Sequence, residues 1–212
     1  MQKKFKWISA VILCIGLIFT VCGCGNPTPS ETVDAFLTAL KTQDEDALKS
    51  VYAEDDFDLL SNIEEDDSTE AENDDALDAL LEEQLKDKLF DFDYTISNEQ
   101  ISNTNATVDV EFKTYEFGEA MKKSISTYLE KALPLAFNGA SEEEISHVMN
   151  EALQTEFGAL KEKNYTQTAA IELTQEDGVW KVKKIDPEGN VMNALSGNLV
   201  KTASELSSSF DE

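Results

Sequence analysis

The chain has 212 residues and a formal net charge of −26, from 43 acidic and 17 basic side chains. Such a surface repels nucleic acid and anionic lipid headgroups, so a nucleic-acid-binding role is excluded. The length is sufficient for one domain with a sizeable core. The three cysteines all lie within the first 24 residues, which rules out disulfides and cysteine metal sites in the remainder of the chain.

The N-terminus has the pattern of a secretory signal. Three lysines up to Lys6 precede an apolar run of about 16 residues, from Trp7 to Cys22. A membrane-spanning helix needs roughly 20 residues, and no cationic flank follows the run, so a transmembrane anchor is the weaker alternative.

The end of this run, Val21-Cys22-Gly23-Cys24, resembles a bacterial lipobox, in which a small residue precedes the cysteine that becomes lipidated. We expect cleavage between Gly23 and Cys24 and a lipid anchor on Cys24, because cleavage before Cys22 would require the large Val21 at the preceding position. An ordinary signal peptide is the alternative. The resemblance implies a protein held on the outer face of the cell membrane by Cys24, with residues 24–30 as a short linker.

The first part of the mature chain reads as helices around an acidic segment. Ser30 is a predicted N-cap for a helix near 31–42, and Asp44 for a second, shorter helix. Residues 54–75 are strongly acidic and predict a solvated loop, with calcium binding as the alternative, although the glycine-containing calcium-loop motif is absent. A third helix is predicted from Asp74 or Asp75 to about Leu89.

The rest alternates between strand hairpins and helices. Period-two alternation predicts a hairpin from Phe90 to Phe112, and a second hairpin over 165–185 with a turn at Glu176-Asp177-Gly178. Between them, residues 117–162 predict a helical hairpin whose second helix starts with the capping box Ser141–Glu144. A last helix is predicted over about 188–207. Antiparallel hairpins without crossover helices indicate an α+β fold, with N-terminal helices packed on a curved antiparallel sheet.

Two stretches resemble a known family: "PSETVDAFLTALKTQDEDALKSVY" near the start and "QEDGVWKVKKID" late in the chain. Both are similar to uncharacterised lipoproteins of Gram-positive bacteria with a cone-shaped fold like nuclear transport factor two, also called cystatin-like. The resemblance implies a cone-like domain over 31–187, in which residues 117–162 are an insertion, followed by a C-terminal helix and tail over 188–212.

The sequence offers few candidates for chemistry. His147 is the only histidine, so we expect a surface residue rather than a metal ligand, and we expect no metal and no cofactor. Asp91 and Asp93 lie between aromatic residues and are weak candidates for a general acid, the alternative being the wet face of a strand. Tyr94 and Trp180 are weak candidates for lining a pocket, and are otherwise core residues.

These observations favour a non-enzymatic, membrane-anchored lipoprotein that binds a small molecule, a peptide or another envelope protein. A cell-envelope interaction module without a ligand pocket is the alternative from a different class, and an enzyme is a third.

Overall fold

The computed structural model describes residues 26–54 and 85–210. Its elements in chain order are α1 (Pro29–Thr42), α2 (Glu45–Val51), α3 (Lys86–Phe90), β1 (Asp93–Ser102), β2 (Asn105–Thr114), α4 (Phe117–Phe137), α5 (Glu142–Gly158), β3 (Tyr165–Glu176), β4 (Val179–Val182), α6 (Asn190–Leu195) and α7 (Leu199–Phe210). Most of the acidic segment 54–75 and of the predicted third helix lies outside the described residues.

The strands form an open antiparallel sheet in the order β1-β2-β3-β4. The α+β prediction is therefore confirmed. On β2 the side chains alternate between buried and solvent-facing positions, as expected when one face of a sheet is covered. The register of β1 against β2 shifts between Ser97 and Gln100, which interrupts the ladder near the end of β1.

Helices α1, α2 and α6 cover the apolar face of the sheet. In α1 the fully buried side chains follow the helical period, and Phe36 stacks on Tyr52 with ring centroids 6.0 Å apart. Burying each such side chain contributes about 2 kcal/mol. The main core comprises the buried residues Val33, Phe36, Leu37, Leu40, Leu48, Tyr52, Phe90, Phe92, Val108, Val110, Phe112, Ile171, Leu173, Trp180, Val182, Ala194 and Leu195, with smaller alanines between them.

Helix α1 starts earlier than predicted. Its N-cap is Thr28, not Ser30, and Thr28 forms a capping box with Glu31. Pro29 occupies the first turn, where its missing N–H costs nothing. The backbone and hydroxyl of Ser30 instead donate hydrogen bonds to Glu99 on β1, which ties the start of α1 to the sheet.

The first strand also starts later than the alternation predicted. Phe90 belongs to the short helix α3, and the pairing of β1 begins at Asp93. Phe90 is nevertheless buried in the main core. A buried aromatic residue satisfies the hydrophobic pattern in either conformation, so periodicity alone could not place this boundary.

The helical hairpin of α4 and α5 is confirmed, including the capping box between Ser141 and Glu144. The two helices pack through a second apolar cluster, in which the rings of Phe117 and Phe157 stack with centroids 6.3 Å apart. The hairpin packs against α7, and neither of its helices packs extensively on the strands.

The predicted C-terminal helix is present, but not as one continuous element over 188–207. It is divided into α6 and α7 by Ser196-Gly197-Asn198, where Gly197 and Asn198 both have positive φ. Residues in the left-handed region end a right-handed helix. Residue 197 is a glycine because a Cβ there would lie 1.8 Å from the Tyr115 carbonyl oxygen.

The sheet has two distinct ends. At the end that we name the turn end, the β1–β2 and β3–β4 turns meet through a hydrogen bond from Gln175 N–H to the Thr104 carbonyl. Asn26 donates a 2.7 Å hydrogen bond to the Gly178 carbonyl at the same end. At the opposite end, which we name the hairpin end, β2 leads into α4 and α5 leads into β3. None of the helices within 26–54 and 85–210 combines the length and hydrophobicity needed to cross a membrane.

Replacing Gly197 by alanine should destabilise the protein by about 2–5 kcal/mol, since the new methyl group combines left-handed strain with overlap of the Tyr115 carbonyl. Gly139→Ala is the matched control, because Gly139 also has a positive φ, but a Cβ there would have no atom of the described residues within 4 Å. We expect that control to lose about 1 kcal/mol. Urea unfolding of the purified variants measures both, and equal losses would contradict the steric explanation.

Candidate functional site

A charged cluster lies at the hairpin end of the sheet, centred on Lys163 in the loop between α5 and β3. The Lys163 Nζ lies 2.6 Å from Asp91 Oδ1 and 3.2 Å from Asp93 Oδ1, two side chains that bracket the start of β1. Only 17% of the Lys163 side chain is exposed. The Tyr115 hydroxyl donates a 2.8 Å hydrogen bond to Asp91 Oδ2. The cluster therefore joins the start of β1, the end of β2 and the loop before β3.

The cluster fixes the charge of its members. The hydrogen bond from Lys163 lowers the pKa of Asp91, against an opposing effect of burial, and the bond from Tyr115 adds to this. Burial acts to lower the pKa of Lys163, but its bonds to Asp91 and Asp93 together outweigh burial and raise it. The bond to Asp91, followed by burial, raises the pKa of Tyr115. A general acid needs a raised carboxyl pKa, so the shift of Asp91 is opposite to what that role requires.

Next to this cluster, a cleft of about 290 Å³ lies between the start of α4 and the end of α5. Its apolar lining comes from Ala120, Ala159 and Leu160, and its polar lining from Glu116, Glu119, Lys123, Glu156, Lys161, Glu162 and Asn164. We name it the hairpin cleft. The loop that carries Lys163 forms one wall, so the charged cluster holds this wall against the sheet.

The hairpin cleft has a net negative lining. Of its four glutamates, Glu119 pairs with Lys123 at 3.7 Å, whereas the other three form no ion pair with a lysine of the described ranges. The C-terminus of α5 opens onto the same space and has no basic residue in its last turn, so its helix dipole adds negative potential. The cleft is therefore suited to a cationic group, such as an ammonium or guanidinium.

An exposed row of large apolar side chains runs along the outer half of α4. Leu129, Leu133 and Phe137 follow each other at four-residue spacing and are 43%, 54% and 89% exposed. We name them the apolar row. Their four-residue spacing is typical of a packed helix face, but the row lies beyond the second apolar cluster.

The two predicted pocket aromatics do not come together. Tyr94 is half-buried on β1, and its hydroxyl donates a 2.8 Å hydrogen bond to Asp34 on α1. Burial is the main cause of the raised pKa of Tyr94. Trp180 lies on β4, at the other edge of the sheet, and is 7% exposed within the main core. Each ring therefore packs where it lies instead of lining a shared space.

The remaining predicted residues have simple outcomes. His147 is exposed on α5, as expected of a surface histidine. Gly23 and Cys24 lie outside the described residues, so cleavage and lipidation stay predictions. Within 26–54 and 85–210, no three histidine, cysteine, aspartate or glutamate side chains are grouped so that they could hold a metal. The calcium hypothesis for 54–75 falls almost entirely outside these ranges.

No family model matches the sequence, and no curated protein matches it. Among solved structures, the chain is similar to the crystal structure of the "putative lipoprotein" ycdA from Bacillus subtilis, at 14% identity and a TM-score of 0.47. The match covers 82% of this chain and 55% of that one, so the chain spans about half the length of that protein. A TM-score of this size does not establish a shared fold, and the cone fold stays a prediction.

Lys163→Met should destabilise the protein by about 1 kcal/mol near neutral pH, because it removes two ion pairs whose carboxylates are more than half exposed. Because folding lowers the pKa of Asp91, its carboxylate stabilises the fold at pH values above its ordinary pKa of 3.8. This contribution is lost as the pH falls through the folded-state pKa. Because folding raises the pKa of Lys163, its ammonium group contributes fully to stability at pH values up to its ordinary pKa of 10.5.

The difference in unfolding free energy between wild type and Lys163→Met should therefore be flat from about pH 5 to 10 and shrink below pH 4. Urea unfolding at a series of pH values measures it. Lys131→Met is the control, because the Lys131–Glu151 pair is about half exposed on both sides and should contribute only a few tenths of a kcal/mol. A difference that stays constant from pH 7 to 3 would show that packing, not charge, holds Lys163.

Proposed function

We propose that this protein is an extracytoplasmic lipoprotein of a Gram-positive bacterium, anchored to the membrane through Cys24, that binds a protein or peptide ligand at its hairpin end without catalysis. The anchor rests on the sequence: the lysine-rich start, the apolar run and Gly23-Cys24. The binding role rests on the features that the fold gathers at the hairpin end, namely the hairpin cleft and the apolar row.

The observation that carries the proposal is the separation of the anchor from these features. Asn26 is bound at the turn end and lies two residues after Cys24, within about 7 Å of chain. Strand β3 runs from the hairpin end to the turn end and spans about 36 Å. Helix α4 starts at the hairpin end and is about 31 Å long. The lipid anchor would therefore hold the turn end near the bilayer and direct the hairpin end away from it.

The charge of the chain supports the same orientation. Removal of residues 1–23 takes away three lysines, so the mature charge would be 14 − 43 = −29. An anionic membrane surface repels such a domain and keeps it from lying flat. An outward-directed hairpin end is accessible to other molecules.

The chemistry of the hairpin end favours binding over catalysis. The carboxylate of Asp91 is held charged by Lys163, and the hairpin cleft offers its carboxylates to cationic groups. A ligand with lysine, arginine or a free amino terminus complements this lining. The same surface also serves the alternative of an envelope interaction module, in which the ligand is a structural protein.

Cys24→Ala should release the protein from the membrane fraction or leave the precursor uncleaved, because Cys24 is the proposed lipidated residue. Cys22→Ala is the matched control and should leave the protein anchored and processed. Fractionation of cells with immunoblotting, together with labelling by a radioactive fatty acid, measures both. If Cys22→Ala releases the protein and Cys24→Ala does not, the cleavage register is wrong.

The orientation has its own test in intact cells. A cysteine placed at exposed Ala136, near the outer end of α4, should react with a 5-kDa polyethylene-glycol maleimide several times faster than one at exposed Ser102 at the turn end. The bilayer would restrict the large reagent at the turn end. Both variants should react equally in detergent. Equal rates on cells would contradict the outward orientation.

A further inference from the structure

We propose that the apolar row is the docking site for a cationic amphipathic helix of another protein, which lies along α4 beyond the end of α7. The inference deepens the proposed function by naming the class of partner, and it rests on that function because the partner must reach the hairpin end. Three features of the structure support it: the course of α7, the dimensions of the row and the charge around it.

Helix α7 already covers one side of the inner half of α4. The two helices run parallel, because Gly118 lies against Asn198 and Thr202, and Lys122 further along forms a 3.1 Å ion pair with Glu205. The approach at Gly118 is so close that a Cβ there would lie 2.6 Å from the Asn198 carbonyl oxygen. The side of α4 that bears these residues is therefore a helix-packing surface.

Two members of the apolar row, Leu129 and Leu133, continue the same side of α4. Leu129 follows Gly118, and Leu133 follows Lys122, by about three helical turns of 3.6 residues, so each pair lies on one side of the helix. Helix α7 is about 18 Å long whereas α4 is about 31 Å long. The described part of α7, which runs to Phe210, reaches along α4 to about the level of Leu129, and the row beyond that level is exposed to solvent.

The dimensions of the row suit a helix of two to three turns. From Leu129 to Phe137 it extends for about 12 Å. Helices that bind grooves and helix faces present apolar anchors at three- and four-residue spacing, which matches the four-residue spacing of the row. Phe137 is 89% exposed, and large aromatic side chains of this kind dominate the energy of protein interfaces.

The charge around the row selects a cationic partner. Glu142, Glu143 and Glu144 form the first turn of α5, directly after the turn that follows Phe137, and all three are exposed. Neither Glu142 nor Glu143 pairs with a lysine of the part of the chain that the structure describes, and Lys131 on α4 is paired with Glu151. A second copy of the mature chain would bring another net charge of −29, which disfavours self-association.

The test uses a fluorescent 18-residue peptide of leucine and lysine with helical spacing as the probe. The full chain is reconstituted in nanodiscs of neutral phosphatidylcholine, and the signal from empty nanodiscs is subtracted. We expect saturable binding by fluorescence anisotropy. Leu133→Glu/Phe137→Glu should weaken the Kd at least tenfold. Ile101→Glu/Val179→Glu is the matched control, because these side chains are 57% and 38% exposed but lie toward the turn end, and it should leave the Kd unchanged.

Two further measurements separate the contributions of shape and charge. Glu142→Lys/Glu143→Lys should weaken the Kd at least threefold, and a scrambled peptide of the same composition should bind at least tenfold more weakly. The proposal would be overturned if Leu133→Glu/Phe137→Glu and Ile101→Glu/Val179→Glu bound the peptide with equal Kd. It would also be overturned if the scrambled peptide bound as tightly as the original, or if the wild type did not bind the peptide. Cell fractionation of Cys24→Ala is independent of this assay, so failure of the docking site and failure of the membrane anchor are distinguishable.

Discussion

The arrangement of the hairpin end depends on the contact between Gly197 and the end of β2. Because residue 197 has no side chain, its backbone lies directly against the Tyr115 carbonyl, and its own carbonyl accepts a 2.9 Å hydrogen bond from Gly118 N–H at the start of α4. One contact thus positions the exit of β2, the first turn of α4 and the turn before α7. The positions of the hairpin cleft and the apolar row follow from these three elements.

Asn193 holds this contact in position from the side of the sheet. Its Oδ1 accepts a 2.9 Å hydrogen bond from Lys201 N–H at the start of α7, and its Nδ2 donates a 2.9 Å bond to Gln167 on β3. A buried amide with both ends bonded is costly to displace. The bond from Lys201 N–H satisfies a backbone group that a continuous helix would have bonded internally, so the chain can divide into α6 and α7 where the apolar pattern continues.

Local signals made the sheet, the helical hairpin and its capping box predictable, because alternation and the Ser141–Glu144 spacing act within a few residues. The predicted start of α1 was wrong because Thr28 and Ser30 are both residue types that cap helices, and the local sequence does not decide between them. The charged cluster was not predictable, because Lys163 is 72 residues from Asp91 in sequence and no motif marks the pair. The apolar row could not be recognised either, because exposed and buried leucines of one helix follow the same period. Only the packing of the neighbouring helix distinguishes them.

The two apolar clusters give the sheet and the hairpin separate sources of stability. The main core joins α1, α2 and α6 to the strands, whereas Phe117, Ala120, Leu153 and Phe157 form a second core with their own neighbours. Substitutions on the outer half of α4 therefore touch neither the sheet nor its covering helices. Because exposed side chains contribute little to stability, the hairpin end can change its surface while the fold is kept.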